Sequence, residues 1–231
     1  MEGVVKERLN IYYLVDTSLS MRGSRMEQLN NCMQYLKPAL EEAGLEHNVE
    51  IVVRAIEFGD CVRWNTGSAA QGVPIEQFVW ANLSADGSYT PTAQAIDLVA
   101  ESLNPEYLGR RTLRPVIILI TDGYCNDPKM NYSAACRKLS AKIKGNTTRI
   151  AVGVEGCNIA ELTEFATKGR FGEDDKPFVF TANDANTMTE IIRWASVVSI
   201  GSSVKHNNSS NGEEEIPFQL PANDESSDWI Y

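Results

Sequence analysis

The 231-residue chain has no long hydrophobic run: its longest apolar stretches, such as Val116 to Ile120, are far too short to cross a bilayer. Its opening residues, MEGVVKERLN, lack the apolar core of a secretory signal. The expectation is a soluble cytoplasmic protein that is neither exported nor membrane-bound. Cysteine is sparse and odd in number: Cys32, Cys61, Cys125, Cys136 and Cys157 contain no C-x-x-C pair and no zinc-ribbon spacing. Thiols kept reduced in a cytosol fit that pattern better than a disulfide framework. No internal repeat is visible, and no G-x-x-x-x-G-K-S/T phosphate loop occurs.

Basic residues are also few. The formal net charge is −10, but six acidic residues and no Lys or Arg fall from Asn207 onward, which leaves −4 for everything before. Nucleic acid is not an expected partner, because its binding rests on clustered Lys and Arg that neutralise phosphates. The densest basic group, Arg110, Arg111 and Arg114, reads as a solvated loop ahead of a strand.

What is present is an alternation of strands and helices, with 43% hydrophobic residues, as in an ordinary globular domain. Ile11 to Val15 is a continuous apolar strand. Met26, Leu29, Met33, Leu36 and Leu40 follow at helical spacing, with Gly44 as the stop. VEIVVRAIEF and CVRWNTG read as two strands joined by a hairpin turn at Gly59-Asp60. A loop-like segment reaches Ser88, and a helix from about Pro91 ends at Asn104-Pro105. PVIILITDG, TRIAVGVEG and FVFTAND are three further strands, and Tyr132 to Lys144, Ile159 to Lys168 and Ala185 to Ser199 carry helical spacing. Apolar runs without polar alternation imply strands covered on both faces. The expected fold is therefore α/β: a three-layer, doubly wound, Rossmann-like sheet, mostly parallel, with one antiparallel edge strand.

Residues 1–202 are expected to form the domain, and 203–231 an acidic, flexible C-terminal tail that buries too little apolar surface to offset its ordering entropy. Ile216, Phe218, Leu220, Trp229, Ile230 and Tyr231 stand among its acids. They leave open a peptide that docks on a partner, a solubilising tail, or residues that fold back on their own domain.

The candidate chemistry lies where strands end. In YYLVDTSLSM an apolar run stops at Asp16, and hydroxyls follow at two-residue spacing, Ser18 and Ser20. PVIILITDG stops at Asp122 in the same way. Between them, DGSYTPTAQAI places Thr90 directly before Pro91, the residue best suited to a first helical position. Asp, Ser and Thr also cap helices, which accounts for each loop taken singly. In an open parallel sheet, however, loops at the carboxyl ends of strands share one crevice. All three loops then present hard oxygen atoms, and none presents His or Cys.

This set, Asp16-x-Ser18-x-Ser20, then Thr90, then Asp122, resembles the metal-ion-dependent adhesion site of von Willebrand factor A domains, over roughly Leu9 to Val198. YYLVDTSLSM and GSYTPTAQAI look most like bacterial TerY-type A domains of tellurium-resistance and related stress operons. The resemblance implies an Mg²⁺ or Mn²⁺ ion. Ser18 and Ser20 would bind it directly, Asp16 and Asp122 directly or through water, and Thr90 in some states, with a partner's Glu or Asp completing the shell. The implied work is protein recognition rather than catalysis, with kinases or phosphatases of the same operon among the implied partners. Many family members read Gly-Gly-Thr where this chain has Gly87-Ser88-Tyr89-Thr90-Pro91-Thr92, so Ser88 and Thr92 are alternatives to Thr90. A cysteine-rich zinc module that some members append is absent.

A metal-assisted phosphohydrolase with Asp16 as nucleophile is the competing reading. Such enzymes of the haloacid-dehalogenase type need a second Asp two positions later as general acid, and Ser18 stands there. A Ser-His-Asp hydrolase would need His47 or His206, which fall in a turn and in the tail.

Overall fold

The computed structural model describes residues 6–154, 156–171 and 174–208. In chain order the strands are β1 (Glu7–Asp16), β2 (Val49–Phe58), β3 (Val62–Thr66), β4 (Val73–Pro74), β5 (Val116–Thr121), β6 (Thr148–Val154), β7 (Lys168–Phe171), β8 (Asp174–Pro177) and β9 (Val179–Ala182). The α-helices are α1 (Ser24–Glu46), α2 (Thr92–Ser102), α3 (Pro105–Leu108), α4 (Lys129–Ala141), α5 (Ile159–Phe165) and α6 (Ala185–Asn208).

The main sheet runs in the order β3-β2-β1-β5-β6-β9. The four pairings from β2 through β9 are parallel, and β3 closes one edge antiparallel to β2 across the Gly59-Asp60 turn. Parallel strands need helical crossovers, and these place a helical layer on each face. Alternate residues of one strand accordingly face opposite layers. Ile11, Tyr13 and Val15 pack with α1 and α6, while Tyr12 and Leu14 pack with α2, α4 and α5. Each such fully buried Ile or Leu side chain contributes about 1.5 to 3 kcal/mol. This is the expected three-layer α/β fold with an antiparallel edge strand.

Several details differ from the sequence reading. The helix expected over Ile159 to Lys168 stops at Phe165 and Lys168 opens β7, the one expected over Tyr132 to Lys144 spans Lys129–Ala141, and the short α3 has no counterpart in that reading. The segment before Ser88 holds the two-residue β4, antiparallel to β2. A separate antiparallel pair, β7 with β8, precedes the last strand. The first helix passes Gly44 and ends at Glu46. The last helix continues past the expected domain end at 202 to Asn208: Ser203 is buried and donates to the Arg114 carbonyl at 3.2 Å, and Val204 packs on the core. The remainder of the expected tail, 209–231, lies outside the described residues. Among the described residues no helix is long and apolar enough to cross a membrane. All five cysteines are unpaired.

One long connection is held by a single amide. Asn30 of α1 is buried; its Oδ1 accepts from Trp80 Nε1 and Leu83 N, and its Nδ2 donates to the Leu83 carbonyl, each at 2.9 Å. Phe78, Trp80, Leu83 and Ala85 are thereby packed against α1, and the chain is delivered to the loop that begins at Asp86. Asn30→Ala leaves two buried N–H donors unpaired. It should lower unfolding free energy by about 2 to 6 kcal/mol in urea titrations, given a cost of about 1 to 3 kcal/mol per orphaned group. Native-like stability in that variant would show that the clamp is dispensable.

Candidate metal centre

Strand register brings the two aspartates together. β1 and β5 are adjacent and parallel, with Val15 beside Ile120, so Asp16 stands level with Thr121 and one step before Asp122. Both aspartates are buried. Thr121 Oγ1 donates to Asp16 Oδ2 at 2.6 Å, and Gly123 N donates to Thr121 Oγ1 at 2.9 Å. The other oxygen, Asp16 Oδ1, accepts from Ser18 N at 2.8 Å. Ser18 Oγ and Ser20 Oγ lie 2.9 Å apart, with Ser18 buried and Ser20 exposed.

The three loops are joined by main-chain bonds. Leu19 N donates to the Gly87 carbonyl at 2.8 Å and Gly87 N to the Thr17 carbonyl at 3.0 Å. No side chain fits at Gly87, because a Cβ there would lie 2.8 Å from Asp60 N and from Gly59 Cα. Thr90 is buried and tied to the third loop on both sides: its N–H donates to Asn126 Oδ1 at 2.7 Å, and its carbonyl accepts from Asn126 N at 3.1 Å. Gly123 has φ +77°, and a Cβ there would meet Asn158 N at 2.9 Å. The glycine lets Asn158 N reach the Asp122 carbonyl at 2.9 Å, pinning the loop after β6 as well.

Of the alternatives to Thr90, Ser88 is exposed, with its N–H held by Asp60 Oδ1 at 2.6 Å, while Thr92 is buried with its hydroxyl 3.5 Å from the Thr90 carbonyl. The position expected to cap α2 is shifted. Helix α2 begins at Thr92, with Pro91 at its N-cap, and Asp127 Oδ2 accepts from Ala93 N at 2.9 Å. Sequence reasoning missed Thr121, Asn126 and Asp127, which position Asp16 and the Thr90 loop. The available signal for Asn126 and Asp127 was their place in the turn-forming run between Asp122 and Pro128; Thr121, inside β5, gave none.

The electrostatics suit a cation. Burial, opposed by the hydrogen bonds from Thr121 and Ser18 and reinforced by the Asp122 charge, raises Asp16 from the ordinary 3.8 to about 6. The donor set is hard oxygen throughout, and among the described residues no cluster of three His, Cys, Asp or Glu forms a rival metal site. Adjacent ligands on an octahedron with bonds of about 2.0 to 2.1 Å stand ~2.9 Å apart. The Ser18–Ser20 spacing, 2.9 Å as in an ordinary hydroxyl hydrogen bond, is compatible with that geometry. The donor chemistry of the expected ligands, Asp16, Ser18, Ser20, Thr90 and Asp122, therefore fits a small divalent ion.

Because the folded pKa of Asp16 lies above its unfolded value, the metal-free folded state binds that proton more tightly than the unfolded chain does. Its contribution to stability is greatest below about pH 4 and is lost as pH rises through about 6. In EDTA, the native chain should lose on the order of 3 kcal/mol relative to Asp16→Asn between pH 4 and pH 7, read from urea unfolding. Parallel pH profiles for the two proteins would refute the burial argument.

Comparison with known proteins agrees with this architecture. The family profile described as von Willebrand factor type A domain matches residues 10–194. No curated protein sequence gives a significant match. Among solved structures, proximal thread matrix protein 1 from the mussel byssus superposes with a TM-score of 0.60 at 19% identity, over 83% of this chain and 48% of that one. The same mussel protein, described with a zinc-occupied metal-ion-dependent adhesion site, gives 0.58 at 19% identity, over 83% of this chain and 48% of that one. A von Willebrand factor type A protein from Catenulispora acidiphila gives 0.58 at 17% identity, over 85% of this chain and 43% of that one. The chain thus spans about half the length of the solved chains that it matches, and at these identities the likeness concerns the fold. With the profile matched from the first core strand to the last helix, the chain belongs to the von Willebrand factor type A domain family.

Proposed function

We propose that this domain is a metal-dependent protein-binding module, in which Mg²⁺ or Mn²⁺ held by Asp16, Ser18, Ser20, Thr90 and Asp122 docks an exposed Asp or Glu of a protein partner. The observation that carries this reading is that the neighbouring parallel strands β1 and β5 deliver Asp16 and Asp122 to one edge of the sheet, both buried, with the Ser18 and Ser20 hydroxyls on the loop that follows Asp16. Two carboxylates cancel a divalent charge, and hydroxyls fill further positions without overcharging the ion, so it retains affinity for one more anion. Domains of this family generally mediate metal-dependent protein interaction. The zinc-occupied adhesion site described for the mussel protein supports a cation in the adhesion-type motif of this chain. The all-oxygen donor set here favours Mg²⁺ or Mn²⁺ over Zn²⁺, whose protein sites are built mostly from Cys and His.

The likeness of YYLVDTSLSM and GSYTPTAQAI to TerY-type domains supports a cytoplasmic stress-response complex, of the tellurite-resistance kind, as the setting. Unpaired cysteines support the reducing compartment. A kinase or phosphatase encoded nearby is the partner class that this setting supplies. The phosphohydrolase alternative lacks its general acid: Ser18 is where one would stand, and His47 packs against Gly201 of α6, at the far end of α1 from the centre.

Millimolar Mg²⁺ or Mn²⁺ should raise the melting temperature of the native chain, with a gain of about 2.7 kcal/mol at one hundred times the dissociation constant. Asp16→Ala should abolish the shift, and Ser20→Ala, at an exposed position, should reduce it in a protein of native-like circular dichroism. Equal shifts in native and Asp16→Ala chains would remove the metal reading. Steady hydrolysis of a phosphate ester that disappears in Asp16→Asn would replace recognition by catalysis.

A further inference from the structure

Each loop of the candidate metal centre exposes one large apolar side chain beside its proposed ligand. Leu19, between Ser18 and Ser20, is 45% exposed; Tyr89, next to Thr90, is 63% exposed; Tyr124, two residues past Asp122, is 59% exposed. Among the described residues eight large apolar side chains are exposed, and these three are the ones that flank proposed ligands. Aromatic and aliphatic groups around a desolvated polar anchor are the composition of a binding hot spot, not of a solvated loop. The matching occupant is an acidic side chain with bulky apolar neighbours.

The chain carries two such junctions beyond α6: Glu215-Ile216-Pro217-Phe218 and Asp228-Trp229-Ile230-Tyr231. Reach separates them. Helix α6 starts just after β9, at the sheet edge that bears the centre, and its 24 residues carry the chain ~36 Å away at a rise of about 1.5 Å per residue. Glu215 lies seven residues past Asn208, no more than ~25 Å of extended chain, and falls short. Asp228 lies twenty residues past it, up to ~70 Å. A random coil of twenty residues has a root-mean-square span of ~25 Å, of the same order as the gap, which corresponds to an effective concentration on the order of millimolar. Asp224 and Glu225 also reach, but their next neighbours are Ser226 and Ser227, with nothing to cover the apolar collar.

We propose that Asp228 docks on the metal centre of its own chain, with Trp229 and Ile230 covering Leu19, Tyr89 and Tyr124, so that this segment competes with an outside partner. The inference rests on the metal reading above. It is tested on the full chain labelled with 5-fluorotryptophan, with the Trp229 resonance assigned by Trp229→Phe, during titration with Mn²⁺. Docking broadens the Trp229 signal in step with the rise in melting temperature, to the same extent at every protein concentration. Asp228→Asn keeps that signal sharp while retaining the thermal shift. A thermal shift in the native chain with a sharp Trp229 signal overturns the proposal and leaves the metal centre standing, its collar then serving an outside partner. No thermal shift overturns both. Broadening that grows with protein concentration assigns the segment to a second copy and overturns the intramolecular form.

Discussion

Asp16 ends a central parallel strand with its carboxylate buried away from water, and burial of a charge is costly unless it is bonded or balanced. The surrounding structure answers that cost in detail. Both oxygens of Asp16 are already bound by donors of the chain, one from the strand beside it and one from its own loop. Main-chain bonds then fasten the Gly87 loop to the first loop, and Asn126 fastens Thr90 to the third. The three loops are thus fixed to one another by main-chain bonds and by the side chains of Thr121 and Asn126. Preorganisation of this kind favours binding, because little ordering entropy is left to lose.

The larger elements were legible because their signals are strong and local. Val116 to Ile120 is apolar without interruption, as a strand covered on both faces must be, and Gly59-Asp60 between two strand-like runs marks the hairpin. What escaped depends on partners distant in sequence. β4 is two residues long and exists only because β2 offers an edge. The β7–β8 pair is drawn from charged, glycine-bearing sequence with no alternation to read. Ser202 to Asn208 has the composition of a linker, yet Ser203 finds the Arg114 carbonyl and Val204 finds the core. Polar composition announces solvent exposure only when no such partner exists.

The same division holds within the site. Ligand-type residues stood out because aspartates after apolar runs, followed by spaced hydroxyls, form a recognisable pattern. Their supports did not. Thr121 sits inside a buried strand and reads as ordinary β-sheet composition until its hydroxyl is seen on Asp16. Asp127 acts 34 residues from the helix that it caps, which no local capping rule anticipates. Thr90, expected as a metal ligand with capping as the account of its loop taken singly, does not cap α2 and is held through its main chain by Asn126.

An aspartate lifted to about pH 6 by burial weighs against the folded state at neutral pH whenever no cation balances it. A cation bound there in the folded state alone would lift that cost, and the share of chains open to proteases would fall with it.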